Sequence, residues 1–341
     1  MNRASSNSYM LNLALQGGGA HGAFTWGVLD ALLADGRIGF EGVSGTSAGA
    51  MNAIVLAYGL HQGGNEGARA ALARFWHTVA ERTPFEIVLA SSDGKEFRLN
   101  PAVKMMLGLT QFLSPSQLNP FDFNPLREIL AEQIDFSRLR RDCPVQLFIA
   151  ATHANSGKLR LFRNDEISVD AILASACLPA LHHAVTIDGE PYWDGGYSAN
   201  PAVFPLVFEC STQDTLLVLL TPLRHKETPD SANEIKMRTL DVAFNAAFLR
   251  EMRMFADLRR VAESSWLHLG RLERRVARAR FHVVAAEDLI NELGTDTKLA
   301  ASLRFFEMLR DQGRLHAESW MATNLSQVGR QSTVSLPDTF C

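Results

Sequence analysis

The stretch "LNLALQGGGAHGAFTWGVLDALLAD", residues 11–35, passes from an apolar run through a glycine-rich loop into a helical pattern. The apolar run 11–15 lacks strict alternation, which is typical of a strand buried on both faces of a parallel sheet. Within 21–35, five apolar residues recur at helical spacing: Phe24, Val28, Leu29, Leu32 and Leu33. A strand followed directly by a helix predicts a β-α unit of an α/β protein.

The rest of the chain continues this alternation. Further apolar runs rich in strand-forming residues lie at 40–45, 145–152, 215–221 and 281–286. Helical patterns separate them, and the last two helices are predicted from Leu240 and from Leu299 onwards. This order favours a three-layer α/β/α fold, doubly wound, with a mostly parallel central sheet. We assign residues 11–325 to a single domain whose part from 226 to 325 is mainly helical.

Two ends and one insertion depart from this pattern. Residues 1–10 are polar and are predicted to be a flexible N-terminus, and residues 326–341 are predicted to form a tail. Residues 83–124 form a long insertion with a concentration of apolar residues: Met105, Met106, Leu107, Phe112 and Leu113. The pattern leaves two alternatives for the insertion, a lid or lipid-contacting flap, or a segment packed on its own domain.

Composition restricts the class of protein. The 341 residues are 47% hydrophobic and 21% charged, which is ordinary for a soluble globular protein. The formal net charge of −4 gives no reason to expect nucleic acid as a partner. The sequence contains neither an uncharged run of the roughly 18 residues that a membrane span needs nor an N-terminal signal core. Four scattered cysteines indicate reduced thiols rather than a disulfide framework or a zinc site. We predict a cytoplasmic protein, with peripheral membrane contact left open.

The glycine loop has two interpretations. Gly17, Gly19 and Gly22 spell G-x-G-x-x-G, a pattern found in dinucleotide-binding turns. A dinucleotide site also requires an acidic residue about 20 residues further on, at the end of the second strand. That position holds Thr46 and Ser47, and no G-K-[ST] sequence follows the glycines. The sequence therefore argues against a nucleotide cofactor.

A different chemistry is indicated by the residues that stand there. The run Gly45-Thr46-Ser47-Ala48-Gly49 is G-x-S-x-G between a strand and a small-residue helix, the pattern of a nucleophile elbow. Gly45 and Gly49 flank a turn in which larger side chains would clash, and the Ser47 hydroxyl would lie near the positive end of the helix. Carboxyl ends of neighbouring parallel strands share one sheet edge. We therefore expect three backbone amides to form an oxyanion hole beside Ser47: Gly17, Gly18 and Gly19.

A serine nucleophile also needs a proton acceptor. Four histidines follow in the chain in settings that single out none of them: His225, His268, His282 and His316. Asp194 is the better candidate, because it ends a hairpin strand whose turn is predicted at Asp188-Gly189. Gly195 and Gly196 follow it directly. The alternative interpretation of this motif is a solvated Asp-Gly turn.

These three elements, in this order, resemble the patatin-like phospholipase family, and in particular its bacterial-type acyl hydrolases. Residues 17–22 resemble the oxyanion loop of the family, 45–49 its nucleophile elbow, and 194–196 the motif that carries its catalytic acid. Shorter similarities are present at 124–126, 174–179 and 200–201. The likeness covers roughly residues 11–225 and continues more faintly to the last helix.

The resemblance implies a lipid acyl hydrolase of the phospholipase A or lysophospholipase type. It would use a Ser47–Asp194 dyad and an acyl-enzyme, with no catalytic histidine, cofactor or metal, on a lipid or other acyl-ester substrate. The alternatives are a carboxylesterase or polyester hydrolase with the same dyad, or a catalytically idle lipid-binding or interaction protein. A homo-oligomer is left open. The family commonly has Arg or Lys where His21 stands, so this site neighbour bears on headgroup preference.

The C-terminal part is rich in arginine. Between Arg250 and Arg280 the sequence has nine arginines against four acids. The pattern is typical of the solvated face of a packed helix, and the alternative is a surface that docks on anionic membranes.

Overall fold

The computed structural model describes residues 9–82, 88–90, 97–100, 113–225, 227–264, 270–293 and 295–341. Residues 1–8, assigned above to the flexible N-terminus, lie outside the described residues, as does most of the 83–124 insertion. The question whether that insertion is a lid therefore falls outside them too.

The strands form a mixed, mostly parallel sheet. Their bounds are β1 Tyr9–Leu15, β2 Ile38–Thr46, β3 Val88–Ala90, β4 Phe97–Leu99, β5 Gln146–His153, β6 Leu159–Phe162, β7 Val185–Ile187, β8 Glu190–Asp194, β9 Asp214–Leu219 and β10 Arg280–Ala285. Eight of them make one sheet in the order β10-β9-β1-β2-β5-β8-β7, with β6 paired to β5. The pairs from β10 to β5 are parallel, and those of β5, β6, β7 and β8 with one another are antiparallel. Strands β3 and β4 form a separate antiparallel pair.

Helices connect and flank these strands. Their bounds are α1 Gly22–Asp35, α2 Ala48–Glu81, α3 Pro115–Leu118, α4 Pro125–Gln133, α5 Phe136–Asp142, α6 Val169–Ser175, α7 Phe204–Glu209, α8 Ala232–Ser264, α9 Arg271–Arg278, α10 Glu287–Leu293, α11 Leu303–Asn324 and α12 Leu336–Phe340. Helix α2 has non-helical backbone at Gly63 and Gly64. No helix in the described ranges is long and apolar enough to cross a membrane.

Each face of the sheet carries its own core. In β9, Leu216 and Val218 pack with α1, α2 and α11 on one face, whereas Leu217 and Leu219 pack with α7 and α8 on the other. Successive strand side chains point to opposite faces, so a strand covered on both sides needs an unbroken apolar run. The predicted three-layer α/β/α fold, with helices on both faces of a mostly parallel sheet, is confirmed.

Three details differ from the sequence-based expectation. Helix α1 is buried on all sides from Gly22 to Leu33, because α2 and α11 both pack against it, rather than on one face. Leu240, from which helix α8 was predicted, is exposed, whereas Phe248 and Phe255 of the same helix are buried. Residues 326–341, described above as a tail, pack on the body of the protein. Two of them, Leu336 and Phe340, are buried in the second core.

The pairing register brings the predicted site together. Thr46 in β2 pairs with Ala150 in β5, and the next residue of β5, Ala151, pairs with Asp194 in β8. Ser47 follows Thr46 directly, so the serine and the aspartate lie at neighbouring positions across three adjacent strands. The hairpin of β7 and β8 turns at Asp188-Gly189, which confirms that prediction, and both residues have positive φ.

Candidate active site

Ser47 lies in a sharp turn between the last residue of β2 and the first residue of α2. Its backbone has φ 54° and ψ −121°, a conformation that costs energy in any residue other than glycine. The Ser47 amide donates to the Ser175 hydroxyl at 2.9 Å, which helps to hold this conformation. The turn leaves the Ser47 side chain partly exposed at the N-terminus of a long helix, where the helix dipole favours negative charge.

The glycines beside Ser47 are required by close backbone contacts. A Cβ at Gly45 would lie 2.5 Å from the Gly49 carbonyl oxygen. A Cβ at Gly49 would lie 2.1 Å from the carbonyl oxygen of Leu15, at the end of β1. The turn is therefore as tight as the G-x-S-x-G spacing predicts, and it packs directly against the strand that leads into the glycine loop.

Asp194 is fixed by its backbone at the end of β8. Its amide donates to the Cys177 carbonyl at 2.8 Å, and its carbonyl accepts from the Thr152 hydroxyl at 2.8 Å. The Gly196 amide donates to carboxylate Oδ1 at 2.7 Å. A Cβ at Gly195 would lie 2.2 Å from the Ala150 carbonyl oxygen, so this turn also admits only glycine. The alternative of a solvated Asp-Gly turn is wrong, because Asp194 is only 1% exposed.

Burial raises the pKa of Asp194 from 3.8 to about 7, while the Gly196 amide and the Ser47 hydroxyl lower it. Carboxylate Oδ2 is buried and has no hydrogen-bond partner among the described residues. The hydroxyl of Ser47 is thus near enough to favour the charged carboxylate, but the hydrogen bond between the two is not complete. Ser47 and Asp194 are thus adjacent, and Oδ2 is free to accept a proton.

The glycine loop touches the same turn. A Cβ at Gly17 would lie 2.9 Å from Ser47 Cβ, so loop and serine are in direct contact. The Gly17 amide, however, donates to Asn200 Oδ1 at 2.7 Å and is already engaged. The amides of Gly18 and Gly19 have no hydrogen-bond partner in the part of the chain that the structure describes. Of the three amides expected as donors, that of Gly17 is thus engaged and those of Gly18 and Gly19 are not.

The sequence matches a known protein family. The family model described as patatin-like phospholipase matches residues 13–207, more than half of the chain. The chain belongs to the patatin-like phospholipase family. Membership supports lipid acyl hydrolase activity.

A solved structure is also similar to this patatin-like protein. It is the crystal structure of VipD from Legionella pneumophila, with a TM-score of 0.42 and 16% sequence identity. The match covers 93% of this chain and 67% of that one. No curated protein matches the sequence.

His21 has a different place from the one expected of a site neighbour. Its side chain is fully buried, its Nε2 lies 2.8 Å from the Thr297 hydroxyl, and its ring meets the edge of Phe305. Burial, with the positive charge of Lys298, lowers the pKa of His21 to about 3. His21 is therefore neutral and packed behind the glycine loop, where it is not accessible to a lipid headgroup.

Three of the four histidines considered as bases lie in described residues. Burial, with the charges of Arg238 and Lys298, lowers the pKa of the half-buried His225. His282 is buried within hydrogen-bond distance of Asp214 and Thr333, and His316 packs on Phe24. His268 lies outside the described residues. None of the histidines in the described ranges is hydrogen-bonded to Ser47, and no group of three or more His, Cys, Asp or Glu side chains there is arranged to hold a metal ion.

The sequence interpretation missed a buried amide network behind the glycine loop. The Gln16 side chain donates to Asn200 O at 3.3 Å and to Asn245 Oδ1 at 3.2 Å. Its Oε1 accepts from the amides of Leu220 and Thr221. Gln16 precedes the glycine loop and Asn200 lies in the similarity at 200–201, so these two polar side chains were an available signal. Asn245 lies in the middle of α8, and its sequence context gave no such signal.

Replacing Asn200 by Ala tests this network. We expect kcat for an acyl ester to fall about 10- to 100-fold and the free energy of unfolding to fall by about 1–3 kcal/mol, because the buried Gly17 amide loses its acceptor. Steady-state kinetics and thermal unfolding measure the two effects. Asn65→Ala is the control, since it removes an amide bond to Leu33 O far from Ser47. An unchanged kcat in Asn200→Ala would contradict a positioning role.

Proposed function

We propose that Ser47 and Asp194 act as a catalytic dyad that hydrolyses acyl esters of lipids through an acyl-enzyme. The observation that carries the proposal is the state of Asp194: a buried carboxylate with a pKa raised to about 7 and a free Oδ2, next to a serine hydroxyl. An ordinary aspartate is a weak base, and a general base is most effective when its pKa lies near the working pH.

In the first half-reaction, Ser47 Oγ attacks the ester carbonyl carbon while its proton passes to Asp194 Oδ2. The tetrahedral intermediate then expels the alcohol, which takes that proton from Asp194, and the acyl group stays on Ser47. The strained backbone at Ser47 supports this step, because it presents the hydroxyl at the end of β2 next to the carboxylate.

The negative charge of the intermediate needs donors that are already in place. The unengaged amides of Gly18 and Gly19 are suited to this, since the loop contacts Ser47 through Gly17. Removing one such donor typically costs about 3–4 kcal/mol of transition-state stabilisation. Asn200 fixes the Gly17 end of the loop, so that the next two amides need not reorganise during the reaction.

In the second half-reaction, a water molecule attacks the acyl-enzyme and gives its proton to Asp194. The second tetrahedral intermediate expels Ser47 Oγ, which recovers the proton and releases the free acid. The same carboxylate thus serves as base and acid in turn, and no histidine is needed.

Family membership supports a lipid as the substrate, and so do exposed apolar side chains near the site. Phe121 is 93% exposed and Phe123 is 62% exposed in the segment that follows α3. His183 Nε2 lies 3.0 Å from the carbonyl oxygen of Asn119 in this segment. Six residues before His183, the Cys177 carbonyl accepts a hydrogen bond from the Asp194 amide. The segment therefore lies beside the dyad. These side chains would contact the lipid aggregate that supplies the ester.

The pH dependence of kcat/KM tests the proposal. The carboxylate acts only when ionised, so kcat/KM should fall tenfold for each pH unit below about 7, whereas an unshifted aspartate would give this fall below 3.8. The measurement uses an uncharged ester and quantifies the released fatty acid by chromatography, so that neither substrate nor detection titrates.

Glu251→Gln is the matched control for this experiment. Burial also raises the pKa of Glu251 to about 7, but its carboxylate accepts the amides of Val203 and Phe204 instead of facing Ser47. The fall of kcat/KM below about pH 7 should persist in this variant. Asp194 would be excluded as the base if kcat/KM in the wild type fell only below about pH 4. It would also be excluded if the fall below about pH 7 disappeared in Glu251→Gln.

A further inference from the structure

A cavity lies at the edge of the sheet opposite to Ser47. It has a volume of about 600 Å³ and is bounded by helix α9 and by the segment that joins α7 to β9. We call it the arginine cavity, after the four side chains that line it: Arg271, Arg274, Arg275 and Arg278. It adjoins the amino end of β9, whereas Ser47 and the glycine loop follow the carboxyl ends of β2 and β1.

The four arginines lie on one face of α9, because they are spaced i, i+3, i+4 and i+7. All four are exposed, whereas Val276, on another side of the helix, is buried. No carboxylate in the described ranges forms an ion pair with any of the four guanidinium groups. Glu273, on the same helix, lies off this face. The cavity therefore gathers four positive charges in a chain whose formal net charge is −4.

The acidic residues close to the cavity are engaged elsewhere. Glu209 pairs with Arg163 at 2.7 Å. Glu41 accepts the amides of Ser211 and Thr212, each at 2.6 Å. Asp214 pairs with Arg280 at 2.7 Å. Burial raises the pKa of Asp214, but its hydrogen bonds with His282 and Arg280 outweigh this effect and lower the pKa to about 2. Since none of these carboxylates is free to turn toward α9, the positive charge of the cavity is left for a ligand.

Part of the cavity wall is fixed in advance. Arg275 donates to the Phe208 carbonyl and, at 3.1 Å, to the Cys210 carbonyl, so its guanidinium is held at the end of α7. Ser211 and Thr212 add hydroxyl groups to the lining. Guanidinium groups match phosphate oxygens in geometry and bind them with two parallel hydrogen bonds. The volume is in the range typical of small-molecule sites.

We propose that the arginine cavity binds a ligand that carries clustered phosphate groups. The ligand is either a soluble polyphosphorylated molecule or the phosphorylated headgroup of a lipid, since both present the same chemistry. It is distinct from the ester at Ser47, because the six residues of β9 separate the two sheet edges by roughly 20 Å. The arginines thus have a binding role beyond that of a solvated helix face.

The test measures binding on the Ser47→Ala background, so that hydrolysis plays no part and the outcome is independent of the proposed catalysis. Inorganic tripolyphosphate is titrated by calorimetry, and vesicles of phosphatidylcholine with phosphatidylinositol bisphosphate are tested by co-sedimentation. The variant Arg271→Gln/Arg274→Gln/Arg278→Gln removes three charges and keeps the anchored Arg275. The control Arg250→Gln/Arg253→Gln/Arg304→Gln removes the same charge from exposed positions outside the cavity.

We expect at least one of the two probes to bind and its affinity to fall at least about 10-fold in the cavity variant, with the control near the starting value. Binding of tripolyphosphate alone identifies a soluble ligand, and binding of the vesicles alone identifies a headgroup. Binding of neither probe would overturn the proposal. Equal weakening in both triple variants would also overturn it, because the attraction would then follow net charge and not the cavity.

Discussion

Ser47→Ala is expected to lower kcat/KM for an acyl ester about 10⁴-fold or more, because the variant has no group to form the acyl-enzyme. Labelling with a fluorophosphonate probe gives a second readout, since the probe forms a covalent adduct with an activated serine. Intact mass and peptide mapping should find one adduct on Ser47 in the wild type and none in the variant.

Ser44→Ala is the matched control. Ser44 lies in the same strand, three residues earlier, and its buried hydroxyl has no hydrogen-bond partner among the described residues. Its removal should leave both labelling and turnover unchanged. A folded wild-type protein without an adduct, with detergent or vesicles present, would favour a catalytically idle lipid-binding protein. An adduct on another serine would show that this serine, and not Ser47, is the nucleophile.

Asp194→Asn should abolish turnover to a similar extent and at the same time stabilise the fold at alkaline pH. An asparagine keeps the Oδ1 acceptor for the Gly196 amide but cannot take the proton of Ser47. A pKa of about 7 in the folded state, against 3.8 ordinarily, means that the folded protein binds the proton more tightly than the unfolded chain. Stability from this group is therefore lost as pH rises from about 4 to about 7.

A shift of this size corresponds to a penalty of about 4 kcal/mol for the charged group above pH 7. The asparagine variant avoids that penalty, so thermal unfolding at pH 8 should occur at a higher temperature than in the wild type. At pH 4, where Asp194 is neutral in the folded state, the gain should disappear. Glu251→Gln serves as the control, because it too removes a buried group with a raised pKa and should leave turnover intact. A Tm gain in Asp194→Asn that is the same at both pH values would contradict the assignment.

The sequence predicted the layers of the fold because strands buried on both faces consist of unbroken apolar runs. Leu216 to Leu219 form such a run, and each of them packs on the face that strict alternation assigns to it. The extent to which a helix is buried was less predictable. Whether α1 is covered on one side or on all sides depends on α11, which follows it in the chain by more than 260 residues.

The candidate site was predictable where glycine carries the signal. Gly45 and Gly49 stand where backbone approaches backbone, and no other residue fits there. The partner of the Gly17 amide was not predictable in the same way, because the bond joins residues 183 positions apart. The burial of His21 depends likewise on Thr297 and Phe305, which are distant in sequence. Local motifs thus indicate the candidate groups, and tertiary contacts decide which amides are free.

Helix α8 lies beyond the segment 13–207 that the family model matches, yet it supports both motif-bearing loops. Asn245 bonds Gln16 behind the glycine loop, and a Cβ at Gly196 would strike Phe244. Asp241 pairs with Lys298, whose carbonyl oxygen lies against Gly19. The segment that carries the family's motifs is therefore not a separable module. Transplanted or truncated without α8, it would keep its reactive groups and lose the scaffold that sets their spacing.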